Sequence, residues 1–252
     1  MAEKQPRKLE DFGELSAAEQ QVRDELDTGE LIELGDGEVP PEDAGPERQL
    51  RARFVRWLAL GGDEDHRLHE KGLRVSGALI TSDGPAGAGT PGLDLEGCEI
   101  ARDLGLLDCR FSDPPLLRSA RLQNLFLNRS ALPGLQAGGL ETRGIVSLAN
   151  AKFTGKVELT DSRIGSDLAC EGTEISNPDR GALIANAAKV TGRFFLRKNA
   201  KIDGVLDLSG ADLGAINDDP ACWPTSPGDL ILNRCRYGAF LGDGINAADR
   251  KH

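Results

Sequence analysis

A short pattern of apolar positions recurs along the chain from about residue 73 to residue 237. Each copy has an apolar residue, a second one two positions later, and a third five positions after that. Most copies are ten to twelve residues apart, with longer steps at 81–92, 176–182 and 217–229 and one degenerate copy expected in 133–145. The two central copies, eleven residues apart, consist of Val157, Leu159 and Ile164, then Leu168, Cys170 and Ile175.

An α-helix does not explain this spacing, because its period of about 3.6 residues spreads such positions around the axis. A chain that turns every few residues points all of them inward and stacks successive turns about 4.8 Å apart through backbone hydrogen bonds. The pattern therefore predicts a mainly β solenoid without an internal ligand cavity. Its predicted core ladder is Val157, Leu159, Ile164, Leu168, Cys170 and Ile175.

A small residue stands two positions before the last apolar position of most copies. We expect it to be buried at a corner of the coil, where two large side chains do not fit. Only Cys222, beside Trp223 in the insertion 217–229, has no place in the pattern, and a lone loop thiol is more often incidental than catalytic. The small positions are Ala78, Cys98, Cys109, Ala120, Ser130, Ala151, Ser162, Thr173, Ala188, Ala200, Ala211 and Cys235.

Units such as ANAKF, TDSRI, EGTEI, KNAKI, SGADL and NRCRY resemble pentapeptide repeats over roughly 165 residues. The resemblance implies a right-handed quadrilateral parallel β-helix of about six coils. The segment 51–80 also resembles the start of bacterial proteins with this irregular repeat, for which no established catalytic residues exist. Some members of the family imitate a DNA duplex and inhibit DNA gyrase.

The first quarter of the chain has a different composition. Residues 1–66 hold 18 acidic and 8 basic residues, whereas residues 67–252 hold 23 and 22. Ser16 and Glu19 form a capping-box pattern before one helix, and Leu50, Phe54 and Trp57 lie at helical spacing in a second. We therefore predict two parts: an acidic α-helical cap (1–66) and a β-helix (67–252).

Arginines at 48, 51, 53 and 56 decorate the second predicted helix. They either pair with the surrounding carboxylates, which is the more common arrangement, or form a basic face for an acidic partner.

Two outward columns of side chains follow from stacking alternate copies. One mostly alternates in sign: Glu99, Arg121, Glu141, Arg163, Lys189, Asp212. The other is net basic: Arg110, Ala131, Lys152, Glu174, Lys201, Arg236. We expect the first to stabilise itself by charge pairing between neighbours. The second supplies the candidate partner-binding residues Arg110, Lys152, Lys201 and Arg236.

The chain shows no apolar run long enough for a membrane span and no secretory signal, and an odd count of five Cys favours reduced thiols in the cytoplasm. No Gly-rich phosphate loop, catalytic elbow or paired Cys motif occurs, so we expect no cofactor, no metal and no enzyme activity. His66 and His69 form the best metal-ligand pair, yet they lack partners and are better explained as part of a polar connector.

The function expected from these features is that of a non-enzymatic protein-interaction module, such as an inhibitor of a nucleic-acid-handling enzyme or defence complex. The acidic helical segment and one face of the β-helix are expected to contact the partner protein, and nucleic acid is not expected to bind directly. One alternative is a DNA mimic of the gyrase-inhibiting type, although the nearly neutral predicted rod does not offer the continuous negative field this needs. Another is an enzyme with a site under an inserted loop, where candidates are His66, His69, Asp219 and Cys222. Homodimerisation is expected through the C-terminal end, burying Tyr237 and Phe240.

Overall fold

The structure, a computed structural model, describes residues 6–82 and 92–241, apart from the side chain of Asp179. It contains two α-helices, α1 (Ala17–Asp24) and α2 (Ala52–Ala59), and two 3-10 turns, Leu9–Phe12 and Pro220–Cys222. The strands are β1 (Ile32–Glu33), β2 (Gln49–Arg51), β3 (Leu73–Ser76), β4 (Leu79–Thr81), β5 (Leu104–Leu107), β6 (Arg110–Phe111), β7 (Arg121–Leu122), β8 (Leu125–Phe126), β9 (Ala131–Leu132), β10 (Leu135–Gln136), β11 (Glu141–Thr142), β12 (Val146–Ser147), β13 (Lys152–Phe153), β14 (Val157–Glu158), β15 (Arg163–Ile164), β16 (Leu168–Ala169), β17 (Glu174–Ile184), β18 (Lys189–Leu196), β19 (Lys201–Asp207), β20 (Asp212–Asp218), β21 (Leu230–Ile231) and β22 (Arg236–Phe240).

These strands stack into a parallel solenoid of about six coils, as the periodicity predicts. Each full coil visits four faces in turn. Face 1 contains β3, β5, β8, β12 and β16, and face 2 contains β4, β6, β9 and β13. Face 3 contains β10, β14 and β21, and face 4 contains β7, β11 and β15. The long strands β17 to β20 bend across a corner and each serve two faces.

The apolar triplets form one continuous core. Val157, Leu159, Ile164, Leu168, Cys170 and Ile175 are all within 1 % of full burial. The degenerate copy in 133–145 also fills the core, but its large and small side chains occupy different positions from those in the other copies. Here Leu140 occupies the corner position that is small elsewhere, while Ala137 and Thr142 take the neighbouring positions that are usually large. This copy therefore still fills the core with buried side chains, although the order of large and small residues changes.

A left-handed residue precedes the small corner residue in every copy that the structure describes. Its φ is positive, and in eleven of the thirteen described corners the following amide donates to the carbonyl three residues earlier, which closes a tight turn. These turns form two columns at the corners between faces 1 and 2 and between faces 3 and 4. The residues are Gly77, Asp108, Arg129, Asn150, Gly172 and Asn199 at one corner, and Gly97, Ser119, Gly139, Asp161, Ala187, Gly210 and Arg234 at the other.

The N-terminal part belongs to the solenoid as well as capping it. Strand β1 pairs with β3 on face 1, and β2 pairs with β4 on face 2, so residues before 67 begin both ladders. Helix α1 has the predicted capping box, in which the Ser16 hydroxyl accepts from the Glu19 amide at 3.0 Å. Helix α2 is shorter than the spacing suggests, because Gln49–Arg51 pairs as a strand and the helix starts only at Ala52.

Three of the arginines around α2 form internal contacts. Arg51 makes a bidentate pair with the fully buried Glu19, at 2.8 and 2.6 Å. Arg48 donates to the Gly77 carbonyl at 2.6 Å and pairs with Asp36 at 2.8 Å. Arg56 donates to the Asp94 carbonyl at 2.8 Å. Arg48 and Arg56 thus tie the cap to the first coils, and Arg51 joins two elements within the cap. Arg48 and Arg51 pair with carboxylates, as the pairing alternative predicts.

Two of the three long steps in the repeat have distinct structures. The step at 176–182 does not form a separate loop, since β17 runs unbroken from Glu174 to Ile184 and accommodates the extra residues as register shifts against β19. The step at 217–229 contains the 3-10 turn Pro220–Cys222. Most of the first step, residues 83–91, lies outside the described residues.

The left-handed corners predict a pair of substitutions with opposite effects on stability. Ala187 and Gly210 occupy the same corner on adjacent coils, with φ of 55° and 68°. A residue with a Cβ is destabilised by about 1–2 kcal/mol in this left-handed conformation. Compared with Gly, its lower conformational entropy in the unfolded state offsets about 0.5–1 kcal/mol of that cost. We expect Ala187→Gly to raise the free energy of unfolding by about 0.5–1 kcal/mol and Gly210→Ala to lower it similarly. A Cβ at Gly210 meets no neighbouring atom closer than 3.9 Å, so steric clash does not contribute. Urea denaturation measures both, and shifts of the same sign would contradict the corner geometry.

Two buried serines at equivalent corner positions predict a second contrast. The Ser130 hydroxyl donates to the Leu106 carbonyl at 2.8 Å and accepts from the Cys109 amide at 2.9 Å. The Ser162 hydroxyl is equally buried but has no hydrogen-bond partner among the described residues. We expect Ser130→Ala to cost about 1–3 kcal/mol and Ser162→Ala to leave stability unchanged or raise it. Thermal or urea unfolding of the two variants is the measurement, and equal losses would show that both hydroxyls are satisfied.

Candidate binding groove

Face 4 carries a column of charged side chains along the solenoid axis. The backbone pairing places Glu99 beside Arg121, Arg121 beside Glu141, Glu141 beside Arg163, and Arg163 beside Lys189. Successive neighbours belong to successive coils, so they lie about 4.8 Å apart along the axis. Lys189 pairs in turn with Asp212. This is the alternating column that the repeat spacing predicts.

Glu141 is the centre of this column. Its two carboxylate oxygens each accept from a different arginine, Oε2 from Arg121 at 3.3 Å and Oε1 from Arg163 at 3.0 Å. All three side chains are partly or largely solvent-exposed, so each pair contributes only a few tenths of a kcal/mol to about 1 kcal/mol. Their main effect is to hold two guanidinium groups in fixed positions on either side of one carboxylate.

A shallow groove of about 520 Å³ runs along face 4 across five coils, from Glu99 to Lys189. The charged column forms one side of it. Small residues of the next outward column, Ala101, Gly165 and Thr191, form part of the floor. Gly165 is required there, because a Cβ would lie 2.2 Å from the Arg143 carbonyl oxygen of the coil below. The groove therefore follows from the sequence of outward residues on two adjacent columns.

The groove is net basic although the whole chain carries a net charge of −11. Its lining has four cationic side chains, Arg121, Arg143, Arg163 and Lys189, and two carboxylates, Glu99 and Glu141. Within the described residues neither Arg143 nor Lys189 forms an ion pair, and both side chains are exposed. The sequence pattern indicates the charged column but not the groove, because Arg143 and the small floor residues belong to a column that the repeat analysis does not single out.

The predicted partner-binding residues do not share one surface. Lys152 and Lys201 lie in one column of face 2, with Glu174 between them at 4.0 Å from the Lys152 ammonium. Arg110 begins this column, but its guanidinium donates to the Pro40 carbonyl at 2.7 Å and approaches Glu42 at 3.5 Å. The N-terminal part thus occupies the base of the column.

Arg236 lies on a different face from the one predicted. It pairs with Asp212 and so extends the alternating column of face 4. The physical reason is the insertion at 217–229. Where a strand of face 2 would be expected, the insertion forms the 3-10 turn Pro220–Cys222, and the chain rejoins the parallel ladders only at β21 on face 3. Counting alternate copies therefore assigns Arg236 to the wrong face.

The residues considered for catalysis or metal binding lie at opposite ends of the solenoid. His66 Nδ1 lies 2.9 Å from Asp63 Oδ1, and the Nδ1 of His69 accepts from the Lys71 amide at 3.1 Å. Among residues 6–82 and 92–241 no group of three or more His, Cys, Asp or Glu side chains is arranged to hold a metal. At the other end, the Asp219 carboxylate accepts from the Lys198 amide at 2.6 Å.

The thiols are poorly suited to nucleophilic chemistry. Burial raises the pKa of Cys109 and of Cys170 to about 12. Burial, followed by the nearby Asp219 carboxylate, also raises the pKa of Cys222. A thiol with a raised pKa holds its proton at neutral pH, whereas the reactive form is the thiolate. Cys109 and Cys170 instead fill buried positions of the core, as expected from their places in the repeat.

No helix within the described part of the chain has both the length and the apolar character that crossing a membrane requires. Comparison with protein-family models, with curated proteins and with solved structures finds no match to this chain.

Proposed function

We propose that this protein is a non-enzymatic interaction module, a rigid rod that presents the face-4 groove to a partner protein. The observation that carries this proposal is a net basic groove about 19 Å long, estimated from four coil spacings, on an otherwise acidic chain. The tightly filled core supports the proposal, since the repeat positions inside the rod are occupied by packed apolar side chains. An extended rigid surface suits another macromolecule better than a small substrate.

Two arginines on other parts of the rod are already paired within the chain. On face 3, Arg118 forms a bidentate pair with Glu96 at 3.1 and 3.0 Å, and this pairing lowers the pKa of the Glu96 carboxyl. At the corner between faces 1 and 2, Arg129 forms a second bidentate pair, with Asp108 at 2.7 and 2.6 Å. Charges that are already matched within the chain offer little to a partner, whereas Arg143 and Lys189 are available.

The proposed partner is an enzyme or defence complex that handles nucleic acid, and binding of the rod would inhibit it. The alternative of a DNA mimic needs a continuous row of negative charge. The face-4 column instead mixes both signs from Glu99 to Arg236, with Arg163 and Lys189 as neighbouring cations, and the face-2 column is net basic. The four-faced coil and small buried corners support assignment to a pentapeptide-repeat-like group. All five cysteines are unpaired, which supports a reducing location such as the cytoplasm.

A photo-crosslinking experiment tests the proposed function. The full chain carries a benzophenone amino acid at Thr191, in the groove, or at Thr154, an exposed threonine on the opposite face 2. In cells that naturally express the protein, we expect one protein partner to be cross-linked from position 191 and not from position 154. Cross-linking of the same proteins from both positions, or from neither, would contradict a partner site in the groove.

The C-terminal end of the rod supports a second contact, between two copies of the chain. In the last described coil, Leu232, Tyr237 and Leu241 are exposed by 45, 53 and 44 % although Leu232 and Tyr237 occupy core-ladder positions. Phe240 packs edge-on against Tyr237 with ring centroids 5.6 Å apart. Strand β22 pairs with β20, and no described strand pairs with its other edge. An apolar end with an open strand edge favours association, and we propose a second copy as the occupant.

The mass of the protein in solution tests this dimer. Light scattering should give twice the 26.9 kDa chain mass for the wild type. Tyr237→Glu places a charge in the proposed contact and should give a monomer, whereas Lys152→Glu, in β13 and two strands before the last one on face 2, should remain dimeric. A wild-type monomer at every concentration from micromolar to millimolar would overturn the proposal, and equal behaviour of the two variants would place any dimer contact elsewhere.

A further inference from the structure

We propose that the face-4 groove binds an extended protein segment that carries carboxylates, laid along the solenoid axis with its acidic residues against Arg143, Arg163 and Lys189. This rests on the proposed function, because it names the occupant of the same groove. The segment would belong to a partner protein and would be recognised through its side chains.

Charge determines the class of occupant. Among the six charged residues in the lining, the cations outnumber the carboxylates by two. Glu141 is already held between Arg121 and Arg163, so its charge is offset within the column. Of the four cations, Arg143 and Lys189 have no ion-pair partner among the described residues, and Arg163 lies between them along the axis. The groove therefore offers an occupant three neighbouring cations, two of which form no ion pair within residues 6–82 and 92–241.

The groove also has a direction. Glu99 stands at the end nearest the N-terminal coils, and Lys189 stands at the other end. Within the described residues Glu99 forms no ion pair, so it is available to a cation of the occupant. A segment with one basic residue at one end and carboxylates towards the other end matches this polarity. Such a match fixes the orientation of the segment as well as its charge.

The dimensions fit a short extended peptide. Five coils span about 19 Å, and an extended chain advances about 3.3 Å per residue, so the groove accommodates about six residues. Alternate side chains of such a segment point to the same side, about 6.7 Å apart. Flexible arginine and lysine side chains on coils about 4.8 Å apart can reach carboxylates at that spacing.

Nucleic acid fits the same groove less well. A nucleic-acid strand presents an uninterrupted row of phosphates, which would meet the Glu99 carboxylate at one end of the groove. Single-stranded nucleic acid is also commonly held by aromatic side chains on which the bases stack, and none of the residues lining the groove is aromatic. These two features favour a peptide with spaced carboxylates.

Fluorescence anisotropy with the full chain tests the inference. The probe is a labelled peptide with one Lys at its N-terminus followed by Glu alternating with Ser. The references are the same peptide with Gln in place of Glu and a single-stranded oligonucleotide of similar length. The groove variant is Arg143→Gln with Lys189→Gln, and its matched control is Lys152→Gln with Lys201→Gln on face 2. Both variants remove two positive charges from exposed sites, and unfolding temperatures confirm that each remains folded.

We expect the acidic peptide to bind the wild type, the Gln peptide to bind at least tenfold more weakly, and added salt to weaken binding. The groove variant should lose affinity for the acidic peptide by about tenfold, whereas the face-2 control should stay within about twofold. Equal losses in both variants would overturn the inference by showing binding to overall charge. Stronger groove-dependent binding of the oligonucleotide would also overturn it, in favour of nucleic acid.

The outcome is separable from that of the proposed function. A partner cross-linked from Thr191 together with no binding of the acidic peptide would retain the groove as a partner site and reject the carboxylate-bearing segment as its occupant. Binding of the acidic peptide in the groove without any cross-linked partner would retain the chemistry of the groove and reject the proposed cellular role.

Discussion

The closing of each coil at two tight corners is the constraint on which the rest of the structure depends. At these corners a left-handed residue turns the chain and the next residue, usually a small one, is buried inside the turn. The corner at Asp161 and Ser162 is one example, and its tight turn brings the chain from face 3 to face 4. With the corners fixed, backbone groups of successive coils come into register and form parallel ladders. The outward columns, including the charged column of face 4, follow from that register.

The arrangement of the core could be predicted from the sequence because inward positions tolerate few side-chain types. A buried position in a narrow coil accepts only apolar or small residues, so Val157, Leu168 and Cys170 mark it directly. The left-handed corner is less visible, since Arg129 and Ala187 occupy it as well as Gly and Asn. Its signal is the enrichment of Gly, Asn and Asp one residue before the small position, which a search for apolar spacing alone does not detect.

The surface was harder to predict because outward positions accept almost any side chain, and because insertions change which outward residues become neighbours. One insertion moved Arg236 to another face, and another continued as part of β17. The participation of β1 and β2 in the ladders was also hidden, since strands of two or three residues carry almost no periodicity. The groove is lined by two adjacent outward columns of face 4. Only one of these columns carries the charge pattern that the repeat spacing predicts, so the groove itself could not be predicted.

The two strands contributed by the N-terminal part have a consequence for how the molecule assembles. Because β1 and β2 precede β3 and β4 in the chain and pair with them, they are synthesised before that coil and supply a template for it. Each later coil then adds to a finished surface, and its contacts reach mainly the turn before it. Assembly is therefore expected to proceed in one direction during synthesis, and the coil completed last is the one whose opening disturbs the fewest neighbours.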